Sequence, residues 1–421
     1  MRKPPSFTRR LQWRLEYAIY LTVEKLIGLL SPRCACRVGG WLGSLVGRLS
    51  ARHRRIVERN LRIAFAGEKS PAELELLARE VFCKAGANLI ASFCTASMTP
   101  EALNRVVEME NPEVLTEAFS TGKGVIGVLA HMGNWEALAQ KFPQVMPPGV
   151  QAGEIYRPLN NPLLDARVVA TRQRMGLRLF AKSGNPLALA SFLRVGGGLG
   201  IMSDQRAIGI GETVPFFGRL TVCTPLPAVL ARRTGARVVG ISVTTTSRGK
   251  WRIKFHPLAG ESTTENCMRL LEVVMRESPS DVFWLQDRWR VSFEQPQYAP
   301  GKAPKEGVTW GTAQKKRRCL VWLEAGAGPV PALQHVEPDD LALEYSVPAE
   351  APRPAWLGDD AVLHVRPVLN RRRLIAEEIS RIDRAAILPL DFVYAPNGPH
   401  KVVAVCGQMG MPVATTPEGN A

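Results

Sequence analysis

An α/β fold, a mixed sheet flanked by helices, is the class this sequence predicts from residue 106 onward, and two observations carry it. Short β-like apolar runs at 106–109, 124–130, 150–156, 177–181, 199–203, 238–243 and 251–255 alternate with helical stretches, notably 161–175, 186–195 and 225–234. The run Gly124-Val-Ile-Gly-Val-Leu-Ala130 carries no charge, as a buried strand requires. Length sets the remaining division. The chain has 421 residues, 46% of them hydrophobic, and single cores stop growing at roughly 250–300 residues. Three parts are expected: helices over 1–50, the α/β domain over 51–295, and a small extension over 296–421.

Taken in order, residues 1–10 are basic, and 11–30 are rich in Leu, Ile, Val and aromatics. Arg14, Glu16, Glu24 and Lys25 interrupt that apolar run, so it reads neither as a signal peptide nor as a membrane span. Wound as a helix, Gln12, Glu16, Tyr20 and Glu24 share one stripe while Leu15, Ala18, Ile19, Leu26 and Leu30 spread over the other side. The pattern predicts an amphipathic helical membrane anchor with Trp13 and Tyr17 exposed at the headgroup layer; the competing reading is a helix packed on the core. The Gly-studded segment 38–46 is expected to join it as a hairpin after Ser31-Pro32. Arg52, Arg54, Arg55, Arg59 and Arg62 follow on one helix, either as a solvated face or against lipid phosphates. Ser70-Pro-Ala-Glu73 is a capping box that opens a helix to about residue 97.

The stretch His131-Met-Gly-Asn-Trp-Glu136 sits where the uncharged strand ends and a helix begins. In an α/β layer that edge gathers functional groups, and the helix start offers free N–H groups. A turn at Gly133 brings Glu136 back toward His131. Glu136 is then expected to hold one ring nitrogen and leave the other as a base that takes a hydroxyl proton during attack on an acyl carbonyl. Arg157 and Asp204 also follow strands. Guanidinium suits Arg157 to a phosphate, a carboxylate or an oxyanion, while Asp204 and Gln205 cap a helix or form the rear wall of a site. Asn134, Arg157, Asp204 and Gln205 are the expected substrate-binding residues. Gly196-Gly-Gly-Leu-Gly200 precedes a strand and does not link one to a helix, so it is a turn and not a phosphate loop. Phe216-Phe217 walls an acyl groove or is plain core.

A formal charge of +16 calls for anionic partners. Zinc-finger spacing and RNP-like aromatic motifs are missing from the sequence, so nucleic acid is not expected among them. The eight cysteines are scattered, and Cys34-Ala-Cys36 is too tight for an ordinary disulfide or zinc knuckle; reduced thiols are expected. No cofactor or metal is expected.

Several blocks occur in a fixed order: Asn60-Leu61 with Ala64-Phe65, His131 to Glu136, Tyr156-Arg157-Pro158 into Asn161-Pro162-Leu163, Ser203-Asp204-Gln205, Pro215 to Gly218, Thr224-Pro225, and Trp284 to Trp289. Together, over residues 10–295, they resemble the bacterial lipid A (lauroyl/myristoyl) acyltransferases, within the lysophospholipid-type acyltransferases. The resemblance implies transfer of a fatty acyl chain from acyl-acyl carrier protein to a hydroxyl of an anionic glycolipid acceptor such as a lipid A precursor. It also implies work beside inner-membrane lipid, at the cytoplasmic face. One departure stands out: Gln286 occupies a position where many relatives carry His, and an amide cannot serve as acid or base. Alternatives are an acyltransferase for another lipid acceptor or a silent membrane-binding factor on the same fold.

Beyond residue 295 the character changes. A polar linker over 297–307 and the charge run Lys315-Lys-Arg-Arg318 lead to the apolar Cys319-Leu-Val-Trp-Leu323. Pro- and Gly-rich stretches follow, with strand-like pieces at 361–365 and 402–405 and a helical piece at 371–382. A small α+β or partly disordered extension is expected there.

Overall fold

The computed structural model describes residues 6–207, 209–292, 314–330, 340–396 and 398–415. Helices α1 (Phe7–Gly28), α2 (Pro32–Leu49), α3 (Ala51–Ala64), α4 (Pro71–Thr95) and α5 (Pro100–Asn104) precede the first strand. Then come β1 (Val107–Glu110), α6 (Pro112–Ser120), β2 (Val125–Leu129), α7 (Trp135–Lys141), β3 (Ala152–Tyr156), α8 (Pro162–Arg174), β4 (Leu177–Ala181), α9 (Pro186–Arg194) and β5 (Gly198–Met202). A hairpin of β6 (Glu212–Phe216) and β7 (Arg219–Cys223) leads to α10 (Leu226–Thr234), β8 (Arg237–Ser247), β9 (Lys250–Pro257) and α11 (Thr264–Arg276). The remainder is β10 (Arg317–Trp322), β11 (Leu341–Pro348), β12 (Val362–Arg366), α12 (Arg372–Arg384), β13 (Leu390–Tyr394), α13 (His400–Met409) and β14 (Val413–Ala414).

The chain divides into two compact units. One holds residues 1–55, 75–205 and 224–286, and the other 56–74, 206–223 and 287–421. The units therefore interleave along the chain.

In the first unit a seven-stranded sheet runs in the order β1-β9-β8-β2-β5-β3-β4. The β8–β9 pair is antiparallel and the other neighbours are parallel, so the sheet is mixed, as expected. All seven expected runs are strands of this sheet. The uncharged run became β2, central and buried at every residue, between β8 and β5.

The N-terminal helices form as expected, with Ser6 capping α1 and Ser31 capping α2. Helix α1 is turned opposite to a core helix. Its polar stripe faces α8, with Glu24 3.0 Å from Arg167 and Glu16 accepting from Asn161 at 2.9 Å. Leu11, Leu15, Ile19 and Leu26 are exposed instead. Trp13 and Tyr17 are half-buried, which corrects the expectation that they stand free. The glycines of α2 serve close packing on α4: a Cβ on Gly39 would sit 2.3 Å from the Gly86 carbonyl oxygen, and one on Gly43 2.0 Å from that of Phe82. Val38, Trp41, Val46 and Leu49 of α2 are exposed. Among the described residues no helix is long and apolar enough to cross a membrane.

The second unit carries a five-stranded sheet in the order β12-β11-β10-β13-β14, parallel at every pairing. This corrects the α+β expectation for the described residues: the strands are all parallel, with α12 between β12 and β13 and α13 between β13 and β14, while the linker expected over 297–307 lies outside the described residues. The piece at 402–405 lies in α13, where Val402, Val405 and Cys406 take helical spacing and face inward. A short apolar run cannot by itself be assigned to strand or helix. The hairpin β6–β7, unforeseen in the sequence, turns at Phe217 and Gly218, both with positive φ, as a two-residue hairpin turn demands. Phe216 and Phe217 are buried against Trp289, with ring centroids 5.8 and 6.3 Å away, so they are core and not the wall of an acyl groove. Arg59 and Arg62 are neither a solvated face nor available to lipid phosphate. Arg59 pairs with Asp287 at 2.7 Å and Asp391 at 2.6 Å, and Arg62 with Asp383 at 2.8 Å.

Candidate active site

Strands β2 and β5 pair in parallel with Leu129 opposite Met202, and the Ser203 N–H donates to the Leu129 carbonyl at 2.9 Å. The same register carried two residues further sets His131 beside Asp204. The His131 Nδ1 lies 2.9 Å from Asp204 Oδ1 and 3.2 Å from Oδ2. The Asp204 carboxylate is 9% exposed and the imidazole 23%. With Nδ1 held by the carboxylate, Nε2 is left as the basic nitrogen.

This corrects the expected partner of the ring. Glu136 points to Arg172, whose Nη2 is 2.5 Å from the Glu136 Oε1 while Nη1 reaches Glu154 at 2.6 Å. Glu136 lies in the first turn of α7, and its side chain runs toward the guanidinium that α8 supplies. Its influence on His131 is through charge. Burial pulls the His131 pKa down, but the Asp204 charge and hydrogen bond, with Glu136 adding to them, leave it above the ordinary histidine value. Glu154 is raised, chiefly by burial, against the lowering effect of Arg172.

The turn that presents His131 is held from both sides. The Phe283 N–H donates to the His131 carbonyl at 2.8 Å and the Gly133 N–H to that of Asp281 at 2.9 Å. Asp281 is itself buried and fixed by Lys84 at 3.0 Å, Asn88 at 3.1 Å and Thr245 Oγ1 at 2.6 Å. Gly133 has φ of +55°, and a Cβ there would sit 2.2 Å from the Val243 carbonyl oxygen, so the turn requires glycine on two counts. The Trp135 ring meets the His131 ring edge-on at 5.5 Å.

The other expected site residues divide. Asn134 is buried: its Oδ1 accepts from the Ala137 N–H at 3.0 Å and its Nδ2 donates to Thr95 at 3.2 Å. It caps α7 and holds the turn. Asp204 is at the site, against the imidazole and not behind it. Arg157 follows β3 on the same sheet edge, exposed, and makes no ion pair among the described residues. Gln205 is exposed next to Asp204, and Gln286 is exposed as well. Sequence reasoning missed Arg172, Glu154 and Asp281. Arg172 meets Glu136 across 36 residues of chain, and no local spacing announces that pairing.

Beside the pair lies an apolar cleft of about 420 Å³ including its open mouth, lined by Leu129, Trp135, Leu138, Phe142, Gly200 and Met202 among others. Leu129 and Met202 end the strands that carry His131 and Asp204, and Trp135, whose ring meets that of His131, also lines the cleft.

Residues 5–291 match the family model described as bacterial lipid A biosynthesis acyltransferase. The lipid A biosynthesis myristoyltransferase of Escherichia coli (strain K12) is 25% identical over 240 residues, covering 56% of this chain and 72% of the relative. Lipid A biosynthesis acyltransferase 1 of Shigella flexneri is similar to the same extent, 25% over 240 residues with the same coverage. With that match over most of its length, the chain belongs to the bacterial lipid A biosynthesis acyltransferase family and is an acyltransferase.

Proposed function

We propose that this enzyme moves a fatty acyl chain from acyl-acyl carrier protein to a hydroxyl of a phosphorylated glycolipid, a lipid A precursor, at the cytoplasmic face of the inner membrane. The observation that carries the reading is the His131–Asp204 pair at the end of an apolar cleft. His131 Nε2 takes the acceptor hydroxyl proton as the oxygen attacks the thioester carbonyl. Asp204 keeps the proton-bearing nitrogen on its own side and stabilises the imidazolium. Collapse of the tetrahedral intermediate breaks the C–S bond, and the imidazolium returns its proton to the departing thiolate. Glu136 works with Arg172 to set the potential around the ring, and the acyl chain lies in the cleft.

Arg157, exposed on the same edge, holds the acceptor phosphate or the oxyanion, with Gln205 beside it. The outward apolar faces of α1 and α2 lie in the headgroup layer, and the excess of basic residues draws anionic lipid and the acidic carrier protein. The names of the two relatives support the choice of acceptor. The test is the purified full chain with acyl-acyl carrier protein and a phosphorylated acylated disaccharide, read by mass spectrometry. One added acyl group and release of free carrier thiol are expected. Acylation of a lysophospholipid with none of the disaccharide would overturn the acceptor assignment.

A further inference from the structure

The segment Asp281-Val-Phe283 lies antiparallel along His131-Met-Gly133, with Val282 bridged to Met132 and both of these buried. Two backbone bonds close the pairing, the Phe283 N–H to the His131 carbonyl at 2.8 Å and the Gly133 N–H to the Asp281 carbonyl at 2.9 Å. A ring contact adds to them. Phe283 meets Trp135 edge-on at 6.1 Å, and Trp135 meets the imidazole edge-on at 5.5 Å. So the segment touches the backbone of the turn directly and the imidazole through one intervening ring.

What fixes the segment is the Asp281 carboxylate, whose side chain is fully buried. Its Oδ2 accepts from Lys84 Nζ at 3.0 Å, Ser278 Oγ at 2.7 Å and the Thr245 N–H at 3.0 Å, and its Oδ1 from Asn88 Nδ2 at 3.1 Å and Thr245 Oγ1 at 2.6 Å. A carboxylate offers about four lone-pair sites, so these donors saturate it. A charge taken out of water is stable only when paired and hydrogen-bonded, and here the bonds tie the segment to its surroundings. Lys84 and Asn88 come from α4, Thr245 from β8, and Ser278 from the turn that leads into the segment. Strand β8 is the neighbour of β2, and Thr245 stands two residues past Val243, against whose carbonyl Gly133 packs. Helix α4 reaches the turn again at its last residue, where Thr95 Oγ1 accepts from Asn134 Nδ2 at 3.2 Å. On the opposite side of β2, beyond β5, Asp204 meets the ring. A turn gripped from α4 and β8 holds its imidazole at one distance from that carboxylate.

We propose that Asp281 is a positioning residue for the base: through the segment it anchors, it keeps the His131 imidazole at bonding distance from Asp204. The assignment rests on the reading of His131 as the base. The charges that act on the imidazole are those of Asp204 and Glu136, so Asp281 influences it by position and not by its own field. The test is kcat, both KM values, the pH profile of kcat/KM and thermal melts, measured on the purified full chain carrying Asp281→Asn, Thr245→Val or Lys84→Met. Asp281→Asn should lower kcat by about tenfold or more, as a displaced catalytic group does, with KM held within about twofold. Loosening the turn weakens the bond through which Asp204 raises the His131 pKa, so the midpoint should move to lower pH. Thr245→Val and Lys84→Met should move it less, in the same direction; each leaves most of the donors in place, so they carry the test if Asp281→Asn does not fold. With Asp204→Asn already present, Asp281→Asn should move the midpoint no further. Ser242→Ala, which removes a buried 3.0 Å bond to His256 elsewhere on β8, should lower the melting temperature and leave the midpoint in place. Midpoints unmoved in every folded variant, while His131→Ala is inactive, overturn the positioning role and leave the base standing. A displacement in Ser242→Ala as large as in Asp281→Asn overturns that role too. Full activity in His131→Ala overturns the base reading, and this assignment with it.

Discussion

His131 and Asp204 are 73 residues apart in the chain and 2.9 Å apart in the fold, and the register of two parallel strands is what joins them. Each residue stands two positions beyond its strand. A slip of β5 against β2 by one residue would send the carboxylate to the other face of the sheet.

The pair predicts a pH profile. A base works unprotonated, so kcat/KM should climb with pH through the His131 pKa, which lies above the ordinary value because Asp204 outweighs burial. Asp204→Asn removes the charge that raises it while burial goes on lowering it, so the midpoint should move to lower pH and the plateau should fall. Glu136→Gln should move the midpoint less, because its charge acts without a bond to the ring. His131→Ala should cost a factor of about 100 or more. A larger displacement in Glu136→Gln than in Asp204→Asn would return the ring to Glu136.

Gly133 predicts a cost in both stability and activity. Gly133→Ala adds a Cβ against the Val243 carbonyl at positive φ and should destabilise the protein by more than the roughly 1–3 kcal/mol of backbone strain alone. Gly122→Ala, also at positive φ but with nothing within 4 Å, should carry only the strain and keep its activity. Thermal melts and initial rates on both variants separate clash from strain, and equal losses would dismiss the contact with Val243.

Arg157 predicts a loss at the acceptor. Arg157→Ala should raise the acceptor KM by about 10- to 100-fold, the worth of a charged hydrogen bond, and Arg157→Lys should recover part because the fork of donors is lost. Being exposed, Arg157 should lose more of its effect as salt rises than a buried group would. Unchanged acceptor kinetics in Arg157→Ala at low salt would remove it from the site.

Helix α1 predicts a partition. Replacing Leu11, Leu15 and Ile19 together with Gln should lower binding to anionic vesicles about tenfold or more, since each side chain loses a share of its roughly 1.5–3 kcal/mol transfer energy. The fold should be little affected, because these side chains are more than half exposed. Full retention on vesicles in cosedimentation would shift membrane contact to another surface.

The sequence by itself determined what is local. Apolar runs became the strands of the seven-stranded sheet, Ser70 and Glu73 closed their capping box with a 2.7 Å bond, and His131 stood at a strand end with Gly133 turning the chain. These follow from periodicity and from the few conformations that Ser, Pro and Gly favour within a turn or two. The tertiary structure decided which distant groups meet. It gave the imidazole to Asp204 and Glu136 to Arg172, because strand order and register, not spacing along the chain, set those distances. It also turned the polar stripe of α1 toward Arg167 and its leucines outward, and made 402–405 a helix in a parallel α/β unit. A short apolar run satisfies either element, and a charge finds its partner only after the chain has folded, so neither outcome is written in local pattern.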